Sequence, residues 1–420
     1  MKLPFSLFLA LKYLRPKRSM VSIITVLTML GIMLGVAVLI VVLSVMTGFD
    51  DMHKEHMIKL DSHIQLSAQG GASFIVDPVL KELEKIPEIT AAAPAIEGFV
   101  MMTRYGQAVT AMLRGIDPEL EKRISDIDSY VVEGSLPLDD ESVIIGNRLA
   151  MNLGANVGDT LTVYSAQCFV SEDEIRLPSE LNVSGIFSVG MYDVDSQFML
   201  SSLSTARDVF AIDRGVQTLR IITKDPYQVE QTNRKIRAVL DASAESDHSL
   251  GWLHLLYPRS WMEIHQNLLS TLKVEKDMMF ILLCGISLVA TMSVTNTLIT
   301  LCVQKTHEIG LLKALGFSNG QVVGTFFMLG SIQGFFGCLF GVGMGSWISA
   351  NLDLVLNFLR RFNPGLMSAQ FYQFTEMPSR TTLPDVLSVC LIVMVFSTLA
   401  GVLPAFRAAK MEPVDALRYE

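Results

Sequence analysis

Four stretches of the chain, residues 19–49, 278–304, 314–352 and 386–406, carry no acidic, basic or histidine side chain and are rich in Leu, Val, Ile, Met, Phe and Gly. Each reaches the roughly 20 apolar helical residues needed to cross a bilayer core about 30 Å thick. The pattern predicts four transmembrane helices and excludes a purely soluble protein. Apolar residues recur at near-helical spacing beyond the first span (Phe49, Met52, Met57, Leu60) and ahead of the second (Ile264, Leu268, Leu272), so both helices are expected to continue out of the bilayer as a stalk. Between the stalk halves, alternating or β-branched runs predict strands over 63–67, 108–114, 142–145, 161–165, 181–188 and 219–223. Helical patches over 78–85, 148–153, 205–210 and 227–241 alternate with them, which makes the block mixed α/β. No internal repeat or low-complexity tract is evident.

Charge orients these elements. Only 18% of the 420 residues are charged, against about 25% in soluble chains. Residues 48–277 hold 20 basic and 35 acidic side chains, a net charge of −15. Nucleic acid is a poor partner for such a block, because counterion release rewards clustered Lys and Arg. Lys2, Lys12, Arg15, Lys17 and Arg18 precede the first span with no acid among them. The excess of Lys and Arg beside a span marks its cytoplasmic end, so the N-terminus is expected inside and the acidic block outside. Lys305 and Lys313 after the second span, and Arg407, Lys410 and Arg418 after the fourth, agree, and the loop 351–385 is then external. Leu3 to Leu14 (LPFSLFLALKYL) reads as a helix in the cytoplasmic interface or as an extension of the first span. The uncharged run 19–49 is about twice a signal-peptide apolar region and lacks a small-x-small cleavage site, so it is read as a retained span. Cys284, Cys302, Cys338 and Cys390 fall in spans, and the single external thiol, Cys168, cannot form a disulfide within its domain.

Candidate chemistry is sparse. No Gly-Lys dipeptide occurs, hence no Walker A loop to cradle phosphates, and any ATP used must be hydrolysed by another chain. The spans lack the ionisable relay of a proton-driven carrier, and Gly-x-Ser-x-Gly and His-Glu-x-x-His are missing. No catalytic residue, metal site or cofactor is expected in this chain. His53, Glu55, His56 and His63 match no zinc spacing and read as a solvated stalk face. In the third span Gly330, Gly334, Gly337, Gly341 and Gly345 share one helical face, which suits close helix packing within the chain, with a dimer seam as the alternative. Gly31 and Gly35 make a smaller version in the first span. Between the second and third spans, QKTHEIGLLKALG (304–316) has Glu308 early and Lys313 late, complementing a short helix's dipole, with Gly316 placed to end it in the left-handed conformation. Ile309, Leu311, Leu312 and Leu315 supply apolar contacts. Such a helix could press into a soluble motor, or be an ordinary intracellular turn.

The motif EIGLLKALG resembles the cytoplasmic coupling helix of the permease superfamily that includes the macrolide exporter MacB, the division protein FtsX and the lipoprotein-releasing permeases. Within it the chain is most similar to the LolC and LolE family. FLALKYLRPKR with the first span, RGIDPEL, VIIGNRLAMNLGANVGDTLTV and the C-terminal LPAFRAAKMEPVDALRYE all follow that family's pattern. The fold class implied is a membrane protein with four transmembrane α-helices plus a large mixed α/β periplasmic domain on a helical stalk. Its expected organisation is a cytoplasmic interfacial helix (1–18), first span (19–49), periplasmic domain with stalk ends (50–277), second span (278–304), coupling helix (305–318), third span (319–352), periplasmic loop (353–385), fourth span (386–407) and cytoplasmic tail (408–420).

The resemblance further implies an ABC-type complex in a bacterial inner membrane. A cytoplasmic ATPase dimer, carrying the ATP and magnesium, would drive this chain and a second permease protomer, identical or homologous. The complex would move acylated lipoproteins from the membrane lipids to a periplasmic carrier. Carried over by residue, Glu308, Ile309, Gly310, Leu312, Lys313 and Gly316 would contact the ATPase. The loop 166–178 (AQCFVSEDEIRLP) matches the position of the family's carrier-grasping hook, with Phe169, Val170, Ile175 and Pro178 as candidate contacts. Acyl chains prefer the bilayer by about 0.8 kcal/mol per CH₂, so an apolar cavity must stand in for lipid during extraction. Val42, Val45, Met46 and Phe49 of the first span and Met278, Met279 and Leu282 of the second are expected to line it, methionine being adaptable to disordered chains. A MacB-type exporter would carry its ATPase in the same chain, and a division-type regulator of an external hydrolase would need no acyl cavity.

Overall fold

A computed structural model describes residues 9–10, 20–136, 139–166, 168, 177–362 and 378–410. They divide into two compact units, one of long apolar helices and one, His53–Leu269, built on a β-sheet. In chain order the elements are α1 (Met20–Leu60), β1 (Ile64–Ala68), α2 (Val76–Leu83), β2 (Ile89–Arg104), β3 (Gln107–Ile116), α3 (Pro118–Glu121), β4 (Val131–Gly134), β5 (Ser142–Gly146), α4 (Asn147–Leu153) and β6 (Thr160–Ser165). There follow β7 (Ser179–Phe187), α5 (Tyr192–Gln197), β8 (Phe198–Ser202), α6 (Leu203–Phe210), β9 (Thr218–Thr223), α7 (Val229–Ser246), β10 (Leu256–Ser260) and α8 (Trp261–Ile264). The remainder is helical: α9 (Gln266–Gln304), α10 (Thr306–Ala314), α11 (Asn319–Ala350), α12 (Leu352–Phe362), α13 (Leu383–Ala400) and α14 (Val402–Lys410). Most of the expected N-terminal interfacial helix lies outside the described residues.

Among the described residues, four helices are long and apolar enough to cross a membrane. Their packing follows from the glycine face of α11. A Cβ at Gly334 would stand 2.5 Å from the Ser397 hydroxyl of α13, and Cβ atoms at Gly337 and Gly341 would stand 2.5 and 2.6 Å from Ile32 and Val36 of α1. Only hydrogen fits there, so the ridge seats α11 against two neighbours in its own chain, as the intramolecular reading expects. A Cβ at Gly31 would meet nothing within 4 Å among the described residues, so Gly31 adds nothing to this packing there. Ile32, Val36, Leu39, Ile40 and Leu43 of α1 share a core with Val294, Leu298 and Leu301 of α9 and with Phe326 and Leu329 of α11. Hydroxyls add directional contacts that water cannot contest in an apolar layer: Thr28 with Thr297 at 2.7 Å, and Ser397 donating to the Gly330 carbonyl at 2.7 Å.

The second unit is a mixed ten-stranded sheet in the order β10-β1-β9-β2-β3-β8-β5-β7-β4, with β6 pairing both β2 and β7. Among the described strands, only β3·β8 and β5·β7 run parallel. All six runs expected as strands fall on strands, with His63 and Ser188 just outside them, and the four helical patches overlap α2, α4, α6 and α7 to within two residues at each end, α7 running five residues further. The long central strand β2 was not expected. Its Ala91–Ala93 run and Pro94 lack alternation, and three neighbours, β3, β6 and β9, hold it extended. Tyr105 (φ 47°) and Gly106 (φ 82°) turn β2 into β3 through a two-residue hairpin loop with both φ positive.

The core of this unit includes the ends of the long helices. Met57 of α1 is buried with Ile64, Leu66, Leu219, Ile221, Leu240 and Trp261. One expectation fails here. His63 is not on a solvated face but is 7% exposed, its Nδ1 accepting a hydrogen bond from the Thr223 backbone N–H at 3.0 Å. The chain enters the sheet at this point, so a polar residue there is enclosed by the neighbouring strand. Glu55 does remain on the surface, paired with Lys59 at 2.8 Å.

Candidate functional site

The segment expected to couple, residues 304–318, is fixed at both ends by local chemistry. After α9, Lys305 (φ −101°, ψ 12°) bends the chain and α10 begins at Thr306. Lys305 pairs with Glu308 one turn on, at 2.5 Å. At the other end the Gly316 N–H bonds to the Lys313 carbonyl at 3.0 Å, and the Phe317 N–H to the Leu312 carbonyl at 3.2 Å, with Gly316 at φ +96°. This is a Schellman termination, which consumes two of the carbonyls a helix end leaves unpaired. Ser318 and Gln321 then form a capping box that starts α11. Four residues therefore join the two helices with a specified hydrogen bond at each step.

The two faces of α10 differ. Ile309 and Gly310 are buried, and Ile309, Leu312 and Phe317 meet Leu9, Val322 and Phe326 around a small apolar recess. Lys313 donates from Nζ to the Ala409 carbonyl at 2.7 Å, where the C-terminal end of α14 presents unpaired acceptors. Ile309, Gly310, Leu312 and Lys313 thus stabilise the segment from behind. His307, Glu308, Leu311, Ala314 and Leu315 line the opposite, exposed face, with Leu311 49% and Leu315 70% exposed. Of the six residues expected to contact an ATPase, only Glu308 and Gly316 are exposed. Leu311 and Leu315 were not placed in that set, although their spacing of four puts them one above the other with His307.

The residues expected to line a cavity sit on half-buried or exposed helix faces. Val42, Val45, Met46 and Phe49 are half-buried on α1, Met279 is half-buried on α9, and Met278 and Leu282 are 57% and 62% exposed. Among the described residues, one recess is lined by Leu39, Leu43, Phe280, Leu283, Cys284 and Val389. At one end of that layer, Lys276 donates to the Thr47 hydroxyl at 3.0 Å and faces Asp385 at 3.5 Å, while Thr47 donates to Asp385 at 3.0 Å. At the other lies the Thr28–Thr297 contact.

In the sheet unit, β6 and β7 pair directly, Val163 opposite Ser179, so residues 166–178 connect adjacent antiparallel strands. Phe169, Val170 and Ile175 lie outside the described residues. Pro178 is half-buried and Leu177 is 83% exposed.

Residues 25–239 match the MacB-like periplasmic core domain, and residues 280–413 match the FtsX-like permease C-terminal domain. The lipoprotein-releasing system transmembrane protein LolC of Xylella fastidiosa (strain 9a5c) is 30% identical over 99% of this chain and 99% of its own length. LolC of Neisseria meningitidis serogroup B is 30% identical over 98% of this chain and 99% of its own, and LolE of Haemophilus influenzae is 24% identical over 99% of both. With its four membrane-length helices, its mixed α/β unit and this end-to-end similarity, the chain belongs to the LolC/LolE family of lipoprotein-releasing permeases.

Proposed function

We propose that this chain is a permease subunit of an ABC-type complex that lifts acylated lipoproteins from the outer leaflet of a bacterial inner membrane and passes them to a periplasmic carrier. The end-to-end similarity to LolC proteins carries this reading. A separate cytoplasmic ATPase dimer supplies the energy, and a second permease protomer, identical or homologous, completes the membrane part. The sheet unit lies in the periplasm, carried on the outer ends of α1 and α9 as a stalk, with the basic flanks of the spans inside.

The exposed stripe of α10 is the ATPase contact, supported by its apolar Leu311 and Leu315 beside the charged Glu308 and by the rigid turns at both of its ends. The acyl chains occupy a cavity to which Val42, Val45, Met46, Phe49, Met278, Met279 and Leu282 contribute from half-buried or exposed faces, so its far wall comes from the second protomer. The loop 166–178, with Phe169, Val170, Ile175 and Pro178, meets the carrier. ATP-driven closure of the motor moves α10, tilts the spans and expels the cargo.

Reconstituted with its ATPase and partner permease in proteoliposomes, the chain is expected to release lipoprotein only when ATP and a soluble carrier are both present. Lipoprotein that stays in the vesicles under every combination sinks the reading. Release undiminished by Glu308→Lys counts against the coupling role of α10.

A further inference from the structure

The two membrane helices that lead into the sheet unit end on one buried ionic cluster, which the proposed function does not use. Asp61 follows α1 directly, and its N–H still bonds the Met57 carbonyl in the last helical turn at 3.0 Å. His265 precedes α9 directly, and its carbonyl accepts from Leu269 in the first turn at 2.9 Å. Each is hydrogen-bonded into the adjoining turn of its helix. Asp61 accepts from the Ser62 N–H at 2.9 Å and faces Arg114 at 3.4 Å, Arg220 at 3.7 Å and His265 Nε2 at 3.6 Å.

The arginines are anchored in turn. Arg220 Nη1 donates to both oxygens of Glu121 at 2.6 Å, and Arg114 Nε lies 2.6 Å from Glu97. Gln65, Arg220, Glu97 and Arg114 sit on β1, β9, β2 and β3, four adjacent strands, with Gln65 opposite Arg220 and Glu97 opposite Arg114 in register. Burial by itself would raise the Asp61 carboxyl, yet Arg114, the His265 contact and Arg220 outweigh it and hold the group well below the usual carboxylate range. Asp61 is therefore a fixed anion. Against it, the buried His265 Nε2 makes no hydrogen bond within 3.5 Å among the described residues, and its contact is the longer ion-pair approach to Asp61. At 3.6 Å it stands just outside bonding distance, where a shift of half an ångström between the helix ends makes or breaks the contact.

We infer that Asp61 and His265 are positioning residues forming the joint through which relative movement of α1 and α9 is delivered to the central strands of the sheet. This deepens the proposed function and rests on it. Slack is small: three residues, Asp61–His63, separate α1 from β1, and five, Trp261–His265, separate β10 from α9. The Trp261 N–H bonds the His63 carbonyl at 3.0 Å, tying the two connections together. Asp61, gripped from β3 and β9, converts approach of the α9 end into a load on strands rather than on a loop.

The test is the amount of lipoprotein released to a soluble carrier per ATP hydrolysed, measured on the complete complex in proteoliposomes. His265→Ala is expected to keep ATP hydrolysis near wild type and to lower release per ATP by about tenfold, the size of a typical coupling between sites. His265→Gln, whose amide can donate to Asp61, is expected to restore most of it. A purely structural role would shift the unfolding temperature and leave release per ATP intact in the folded fraction. Release per ATP unchanged in folded His265→Ala overturns the joint, and so does equal impairment in the Ala and Gln variants. A wild-type complex that hydrolyses ATP but never releases lipoprotein overturns the functional reading instead, and the joint's place in it.

Discussion

Replacing Leu311 and Leu315 together by alanine separates the outer face of α10 from its inner face. The two side chains are 49% and 70% exposed, so between them they offer slightly more than one complete leucine for burial. Fully burying a leucine is worth about 1.5–3 kcal/mol, which sets the loss on docking at about 2 kcal/mol. That corresponds to about a thirtyfold weaker Kd for the ATPase. Glu308 already pairs with Lys305 at 2.5 Å in a half-exposed position, and an exposed pair is worth only about 0–1 kcal/mol, so Glu308→Ala should cost less than the leucines. Ile309→Ala makes the opposite control. Its side chain is 2% exposed in the helical core, so the change should lower stability by about 2–5 kcal/mol with no direct loss of contact area. Titrating the detergent-solubilised permease with its ATPase, alongside thermal unfolding of each variant, reads both quantities. A folded Leu311→Ala/Leu315→Ala protein that binds the ATPase as tightly as wild type refutes the assignment of this face.

Three further outcomes follow from the packing. Gly341→Leu should lower the unfolding temperature of the solubilised chain, because its Cβ alone would stand 2.6 Å from Val36, an overpacking worth about 1–3 kcal/mol, whereas Gly31→Ala, with nothing within 4 Å, should leave it unchanged; equal effects would contradict the packing of α11 on α1. Arg220→Met strands the buried Glu121 carboxylate and should cost about 3–5 kcal/mol, read as a lost or sharply lowered unfolding transition; a near-native transition would mean the pair is dispensable. Burial lowers the pKa of His63 below its ordinary 6.5, because an enclosed imidazolium loses its hydration, and Thr223 and Asp225 only partly oppose this. A depressed basic group binds fewer protons folded than unfolded, so its contribution to stability is complete above 6.5 and lost as pH falls through the lowered folded value; His63→Gln should flatten this slope in unfolding midpoints measured above and below 6.5, and an unaltered slope would exclude His63 as its source.

The charges of α10 do not by themselves distinguish its inner face from its outer one. Glu308 and Lys313 suit the dipole of any short helix, and both do sit at the expected ends. Which of them meets a partner depends on what lies behind. The carbonyl of Ala409, 96 residues away in sequence, claims Lys313, and Phe317 and Val322 cover Leu312. The cavity residues show the same limit, since helical spacing names a stripe on each span but not the neighbour that each stripe faces.

What the sequence determined by itself was local and one-dimensional. Uncharged runs longer than a bilayer fixed four membrane helices, alternation fixed six strands, and Gly316 at a helix end fixed a left-handed cap, because each follows from a few adjacent residues and a solvent boundary. The tertiary structure alone decided the rest: β2, which Ala and Pro disguise, is made a strand by three partners; His63 is buried by the strand beside it; and Asp61, Arg114, Arg220 and His265, up to 204 positions apart, become one cluster. A carboxylate carries no mark of the distant arginine that will neutralise it, and only closure of the sheet brings the two within the few ångströms over which charge, burial and mechanical contact act.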